Sequence, residues 1–240
     1  MAHRFVLLKR RADLGREAMH SYWAGHHADL ALSLPGFHRY ALRYVQNHLL
    51  PSAIPSAAEE YDGIGEISST SDRERLAAFH QIYHDFLRLD EANFLDIDQC
   101  VSLYAARRVV MITPRRPSVK FFSFIRRQPT MSHTDFLHHW EHCHGPLVRD
   151  FPDFRGKIVG YIQHQLDPDR EKSLGTGKPV FSFDGIAELH FESKDAFQAF
   201  FSLGEKMQPI RDDEKNFLLQ PSMRMLVREI DFKSRLRETP

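Results

Sequence analysis

Apolar residues recur in this chain in two alternating ways: in short unbroken runs, and in longer stretches where they return every three or four positions. "RFVLLKR" (4–10) and "VKFFSFI" (119–125) are the unbroken kind, which predicts strands buried on both faces. Helical spacing follows over 15–33 and 132–149. "PGF" and "PDF" then interrupt the chain before stretches of alternating character, 37–48 and 154–165, read as strands. The next strand carries "DGI" in both places. A second helix starts near Ser71, where "SDRE" forms a capping box, and Leu76, Phe79, Tyr83 and Phe86 keep its spacing. Final strands are expected over 100–112 and 224–232.

These elements recur because the chain is written twice. Shifted by 117 positions, Trp23 meets Trp140, His27 meets His144, Tyr44 meets Tyr161 and Gln46 meets Gln163. After a loop of different length, "DGIGE" (62–66) meets "DGIAE" (184–188) and "DEANFL" (90–95) meets "DEKNFL" (213–218). Each copy reads β-α-β-β-α-β, the ferredoxin-like split unit with helices on one face of an antiparallel sheet. The uncovered faces of two such sheets can cover each other, so the expected fold is a pseudo-dimeric α+β barrel. The first domain is placed at 1–114 and the second at 117–240, joined through "TPRRPS" (113–118).

Candidate chemistry sits on the first helix of each copy. "HHWEHCHGPL" (138–147) holds four histidines. Counting about 100° per residue, Phe136, Trp140, Cys143, His144 and Leu147 share a stripe, as do Met19, Trp23, His26, His27 and Leu30. His138, His139 and His142 then fall toward solvent. His138 and His142 have the i, i+4 spacing of zinc helices but find no third ligand, so no metal is expected. Cys143 reads as a small core residue. His27 and His144 are either core histidines with both nitrogens satisfied or a general acid or base.

On the strands, Tyr44 and Gln46 share a face, as do Tyr161 and Gln163, suited to packing or to a polar ligand. Glu66 and Glu188, with Asp62 and Asp184, are either ion-paired to strand arginines or set in a pocket, since unpaired carboxylates are costly to bury. Asp90 and Asp213 are read as caps, outside the chemistry.

Composition then removes function classes. Thirty-two basic residues balance 32 acidic ones, so the footprint of a nucleic-acid binder is missing. No stretch reads as a membrane span or signal peptide, and Cys100 and Cys143 form no disulfide framework, which makes the cytoplasm the expected compartment. No nucleotide loop or Ser-His-Asp order occurs, so no cofactor is called for.

With these residues together, the chain resembles a tandem member of the EthD family, in the dimeric α/β-barrel superfamily. "YWAGHHADLALSLPGFHRYALRYVQN" (22–47) and "HWEHCHGPLVRDFPDFRGKIVGYIQH" (139–164) carry the resemblance, with the two DGI and two Asp-Glu-x-x-Phe segments. It implies a pocket between helices and sheet in each unit and a role in ether or aromatic breakdown or polyketide tailoring. The main reading is a cofactor-independent lyase or cyclase acting on an aromatic or polyketide-like small molecule. His144 or His27 would move the proton; Tyr161, Gln163, Tyr44, Gln46, Glu188 and Glu66 would hold substrate; Trp140 and Trp23 would wall the cavity. The alternative is an oxidoreductase, a cofactor-free or haem-using monooxygenase. A non-catalytic carrier of hydrophobic molecules is the third. Whether one or both pockets work, and whether two chains form a homodimer, the sequence leaves open.

Overall fold

The computed structural model describes residues 2–50, 61–69, 73–167, 172–173, 183–232 and 236. The first copy contains β1 (Ala2–Leu8), α1 (16–33), α2 (Pro35–Tyr40), β2 (Ala41–Leu49), β3 (Gly63–Ser69), α3 (73–91) and β4 (Val101–Ile112). The second contains β5 (Val119–Arg127), α4 (133–150), β6 (Gly160–Leu166), the two-residue β7 (Lys172–Ser173), β8 (Gly185–Phe191), α5 (Lys194–Phe201), α6 (Gln208–Phe217) and β9 (Leu218–Asp231). The capping box at Ser71 lies outside the described residues. Its counterpart Ser193 caps α5 by accepting from the Ala196 amide at 3.0 Å.

Eight antiparallel strands close into a barrel in the order β1-β3-β2-β9-β5-β8-β6-β4, with β4 returning to β1. Closure depends on the last strand of each copy. β4 pairs with β1 through 101–105 and then with β6 of the other copy through 105–112. β9 likewise pairs with β5 through 218–227 and crosses to β2 through 227–231. The helices coat the outside, so β1 and β5 are covered on both faces. This is why β1 and β5 read as continuous apolar runs. Among the described residues no helix is long and apolar enough to cross a membrane.

Three elements differ from the pattern reading, one of them β6, expected from 154, which starts only at Gly160 after a short helical turn over Pro152–Phe154. The stretch from Phe37 opens as a helix, because Pro35 sits at its first turn, where a missing N–H costs nothing; the strand starts at Ala41. β9 begins already at Leu218, straight from the end of α6.

The barrel interior is filled at one level by Phe5, Leu7, Ile64, Phe122, Phe124, Ile186 and Val227. Above them lies a charged layer. Lys120, 2% exposed, reaches Glu188 at 2.9 Å, Glu66 at 3.8 Å and also Glu229. Arg43 closes on Glu66, and His164 and His190 each donate to Glu188 at 2.6 Å. Glu66 and Glu188, which the sequence offered as substrate ligands, are members of an ion network joining the two copies and also line a cavity of about 270 Å³. Their side chains point along the face that also carries Ile64 and Ile186, into the barrel. Burial alone would raise both carboxyls; Lys120, with His3 and Arg43 for Glu66 and with His164 and His190 for Glu188, overrides it and holds both below the ordinary range.

A carboxyl depressed in the folded state adds stability above its unfolded pKa and loses it as pH falls. Unfolding free energy should therefore drop as pH falls below ~4.3, the ordinary glutamate value. Lys120→Met should cost ~3–5 kcal/mol at neutral pH, because buried carboxylates lose their cation. It should also flatten that acid limb, as denaturant titrations across pH would record.

Candidate active site

In both copies the first helix widens for five residues, Trp23–His27 and Trp140–His144, into a π turn. The tryptophan carbonyl heading each turn accepts from the amide five residues ahead, Ala28 or Gly145. It also accepts from a strand glutamine, Gln46 Nε2 at 2.8 Å or Gln163 Nε2 at 2.7 Å. Both glutamines are wholly buried. Gln46 and Gln163 thus bind the helix to the sheet, where the sequence offered them a ligand. The glycine of each DGI segment lies under the indole: a Cβ on Gly63 would stand 2.7 Å from the Trp23 ring, and one on Gly185 only 2.4 Å from that of Trp140. The wide turn also rotates His26 and Cys143 outward, and both are exposed. A regular α-helical wheel had placed them inward. His27 and His144 stay buried.

His144 Nδ1 donates to Asp213 Oδ2 at 2.7 Å, and His139 Nε2 donates to Asp213 Oδ1 at 2.9 Å. His139, expected at the surface, is drawn to that carboxylate. Burial would raise the Asp213 carboxyl; the hydrogen bonds from His144 and His139 outweigh it and hold the group below its usual value. An ionised carboxylate can only accept, so the neutral His144 ring carries its hydrogen on Nδ1 and leaves a lone pair on Nε2.

His144 stands on the wall of a cavity of about 220 Å³, together with Trp140, Tyr161, Phe121, Phe154 and Phe200. The Tyr161 hydroxyl accepts from Trp140 Nε1 and from Gln163 Nε2, each at 3.1 Å. With two N–H groups on its oxygen, its own hydrogen remains to be donated. Burial pushes the Tyr161 phenol up to about 12, so it stays protonated near neutrality. Glu214 lines the same cavity. Burial raises its carboxyl above the ordinary range, against the pull of His144, Arg224 and Arg211.

The first copy repeats these groups around a much smaller space. His27 Nδ1 donates to Asp90 Oδ2 at 2.7 Å, and the Tyr22 hydroxyl, at the position of His139, donates to Asp90 Oδ1 at 2.7 Å. Trp23, Tyr44 and Glu91 line about 50 Å³, room for a water or two. Tyr40 stacks on Phe79 with ring centres 3.8 Å apart, and Tyr83 donates to Glu91 at 2.8 Å. Tyr40 has Lys157 as its counterpart. The long helix α3 runs on through Tyr83 toward Glu91. In the second copy the chain breaks between α5 and α6 at Gly204, whose φ of +55° suits glycine.

Sequence reasoning missed Asp90, Asp213, Glu91, Glu214, Arg211 and Arg224. The available signal was the recurrence of Asp-Glu-x-x-Phe in both copies, each beginning two residues after an arginine, Arg88 or Arg211. Among the described residues no three histidine, cysteine, aspartate or glutamate side chains converge as metal ligands. A haem does not fit beside His144. The space there is about 220 Å³, too little for so large a macrocycle, and phenylalanine rings fill its surroundings.

The EthD domain family matches residues 11–98 and again 128–220. No curated protein matches the sequence. Among solved structures, an anthrone oxidase-like protein superposes with a TM-score of 0.62 at 8% identity, over 100% of this chain and 96% of the other. Chlorite dismutase from Candidatus Nitrospira defluvii, in complex with imidazole, gives 0.53 at 10% identity over 99% and 94%. A protein from Lactobacillus acidophilus NCFM whose name proposes a monooxygenase gives 0.50 at 8% over 96% and 93%. At these identities the likeness is one of fold.

Nitrogen-15 NMR of the histidines should find the neutral His144 ring protonated on Nδ1, and Asp213→Asn should abolish that preference. Gly185→Ala should drive the Trp140 ring from its seat and cost ~1–3 kcal/mol, the usual range for overpacking. Denaturant unfolding followed by tryptophan fluorescence would register both the loss and the displaced indole.

Proposed function

Since the chain belongs to the EthD domain family, twice over in one polypeptide, we propose that its second cavity is the working site of a cofactor-independent oxidoreductase. The substrate is an aromatic molecule whose benzylic CH₂ is made acidic by a carbonyl conjugated to it through the rings. The observation that carries this reading is the His144–Asp213 pair, at 2.7 Å, with His144 on the wall of an aromatic-lined hollow.

His144 Nε2 takes the proton from the C–H, and Asp213 stabilises the imidazolium that forms. The electron pair left behind spreads onto the carbonyl oxygen, where Tyr161 donates its hydrogen bond, an arrangement suited to a developing oxyanion. Trp140 and the phenylalanines keep water from competing for that charge. Dioxygen is the oxidant. The carbanion adds to it to give a hydroperoxide, which loses its second C–H proton and splits its O–O bond. A CH₂ group and O₂ thereby become C=O and H₂O. Glu214, held toward its protonated form, supplies the proton for the departing hydroxide. Neighbours of the same fold named as anthrone oxidase-like and as a monooxygenase favour oxidation over the lyase or cyclase that the sequence put first.

One observation supports that second reading: a carboxyl of raised pKa, Glu214, shares the cavity with a base, the pairing that dehydration or ring closure requires. Oxygen separates the two. Anthrone incubated with the purified chain should disappear with matching uptake of dioxygen, and the reaction should stop under argon. His144→Ala should slow it by ~10²- to 10⁴-fold, the usual worth of a positioned base, and His27→Ala should leave it unchanged. Turnover without oxygen would favour the lyase, and binding without turnover would favour a carrier. Full activity in His144→Ala would reject the mechanism.

A further inference from the structure

The second cavity is lined by one acidic side chain, Glu214, and two arginines, Arg211 from α6 and Arg224 from β9. Both arginines lie close enough to Glu214 to bias its ionisation. Neither has an ion-pair or hydrogen-bond partner among the described residues. Most other arginines along the strands have one: Arg43 on Glu66, Arg127 on Asp184 and Arg108 on Glu141 at 2.9 Å. Arg224 is half-buried, whereas Arg211 is exposed. In the first copy, Arg88 occupies the place of Arg211, and its buried Nη1 also lacks a partner. Each copy thus keeps an arginine two residues before the aspartate that holds the histidine, and in neither copy does an ion pair account for it.

We propose that the second cavity takes an aromatic carboxylate, its carboxylate held at the mouth by Arg211 and Arg224 and its rings among Phe121, Phe154, Phe200 and Phe201. The proposal rests on this cavity being the working site and adds the charge of what enters it. Guanidinium forks match the two oxygens of a carboxylate, and hydrogen bonds between ions are among the stronger ones in proteins. The aromatic walls supply apolar contact and edge-to-face partners for a flat ring system. A carboxylate anchored at the mouth would leave the remaining rings to project toward His144 and Tyr161, which line the same cavity.

Isothermal titration calorimetry with 2-naphthoate and its neutral isostere 2-naphthamide tests this on the full chain. Wild type should bind the naphthoate at least ~tenfold more tightly, the least that hydrogen bonds to a charged group contribute. The double variant Arg211→Met/Arg224→Met should lose that preference while keeping wild-type affinity for naphthamide, which would also show that the cavity is intact. His144→Gln should retain the preference. Equal affinities in wild type, a preference surviving the double variant, or failure of both ligands to bind would each overturn the proposal. Anthrone has no carboxylate, so its oxidation reports the proton chemistry separately from this seat.

Discussion

The constraint on which the rest depends is the uncovered face of each four-stranded sheet. A β-α-β-β-α-β unit puts both helices on one side, and the other side carries Phe5, Leu7 and Ile64, or Phe122, Phe124 and Ile186. Left in water, that surface would cost ~25 cal/mol for every Å² of apolar area. Joining two units in one chain removes it, and the crossing of β4 and β9 into the opposite sheet also removes every open strand edge of the barrel. Lys120, Glu66 and Glu188 then set one charged layer within the closed barrel, where each group is tolerable only because the others are present.

Closure decides where a small molecule can be held. The barrel interior is packed by core and ion network at one level, and a cavity of about 270 Å³ opens beside Lys120, Glu66 and Glu188; the space that each buried histidine faces lies instead between the sheet and its helices. There the duplicated parts have diverged. Both copies keep the indole over its glycine, the glutamine on the π turn and the histidine on its aspartate. The first copy fills the space beyond them with Tyr40, Phe79 and Tyr83. The second breaks its helix at Gly204 and leaves about 220 Å³. Duplication thus preserved the same groups twice, and packing left about 220 Å³ beside them in one copy and about 50 Å³ in the other.

The π turn ties stability to chemistry. One extra residue in the turn turns Cys143 away while keeping Trp140 and His144 on the inner face. Gln163, fixed in its turn by Arg108 at 3.3 Å, meets both the freed carbonyl and Tyr161. His144, Tyr161 and the cavity wall are thereby aligned by a single local departure from α-helical geometry.

The repeat, the element order, the fold and the inward direction of Trp23, His27, Trp140 and His144 were all legible from the order of residues, because hydrophobic period and duplication are local properties of a chain. Even the small departures had local causes: Pro35 at a helix start, a five-residue turn in place of four. The partners of those histidines were not legible. Asp90 and Asp213 come from the end of the second helix, more than sixty residues away, and only folding shows which carboxylate an imidazole will meet. Nor could Glu66 and Glu188 be placed, since a strand face can turn toward helices or toward a second sheet, and that choice belongs to barrel closure. Volume was the last thing settled by tertiary structure. Two cavities built from nearly the same motif differ because of how tyrosines and a helix break pack around them, a three-dimensional sum that no periodicity records.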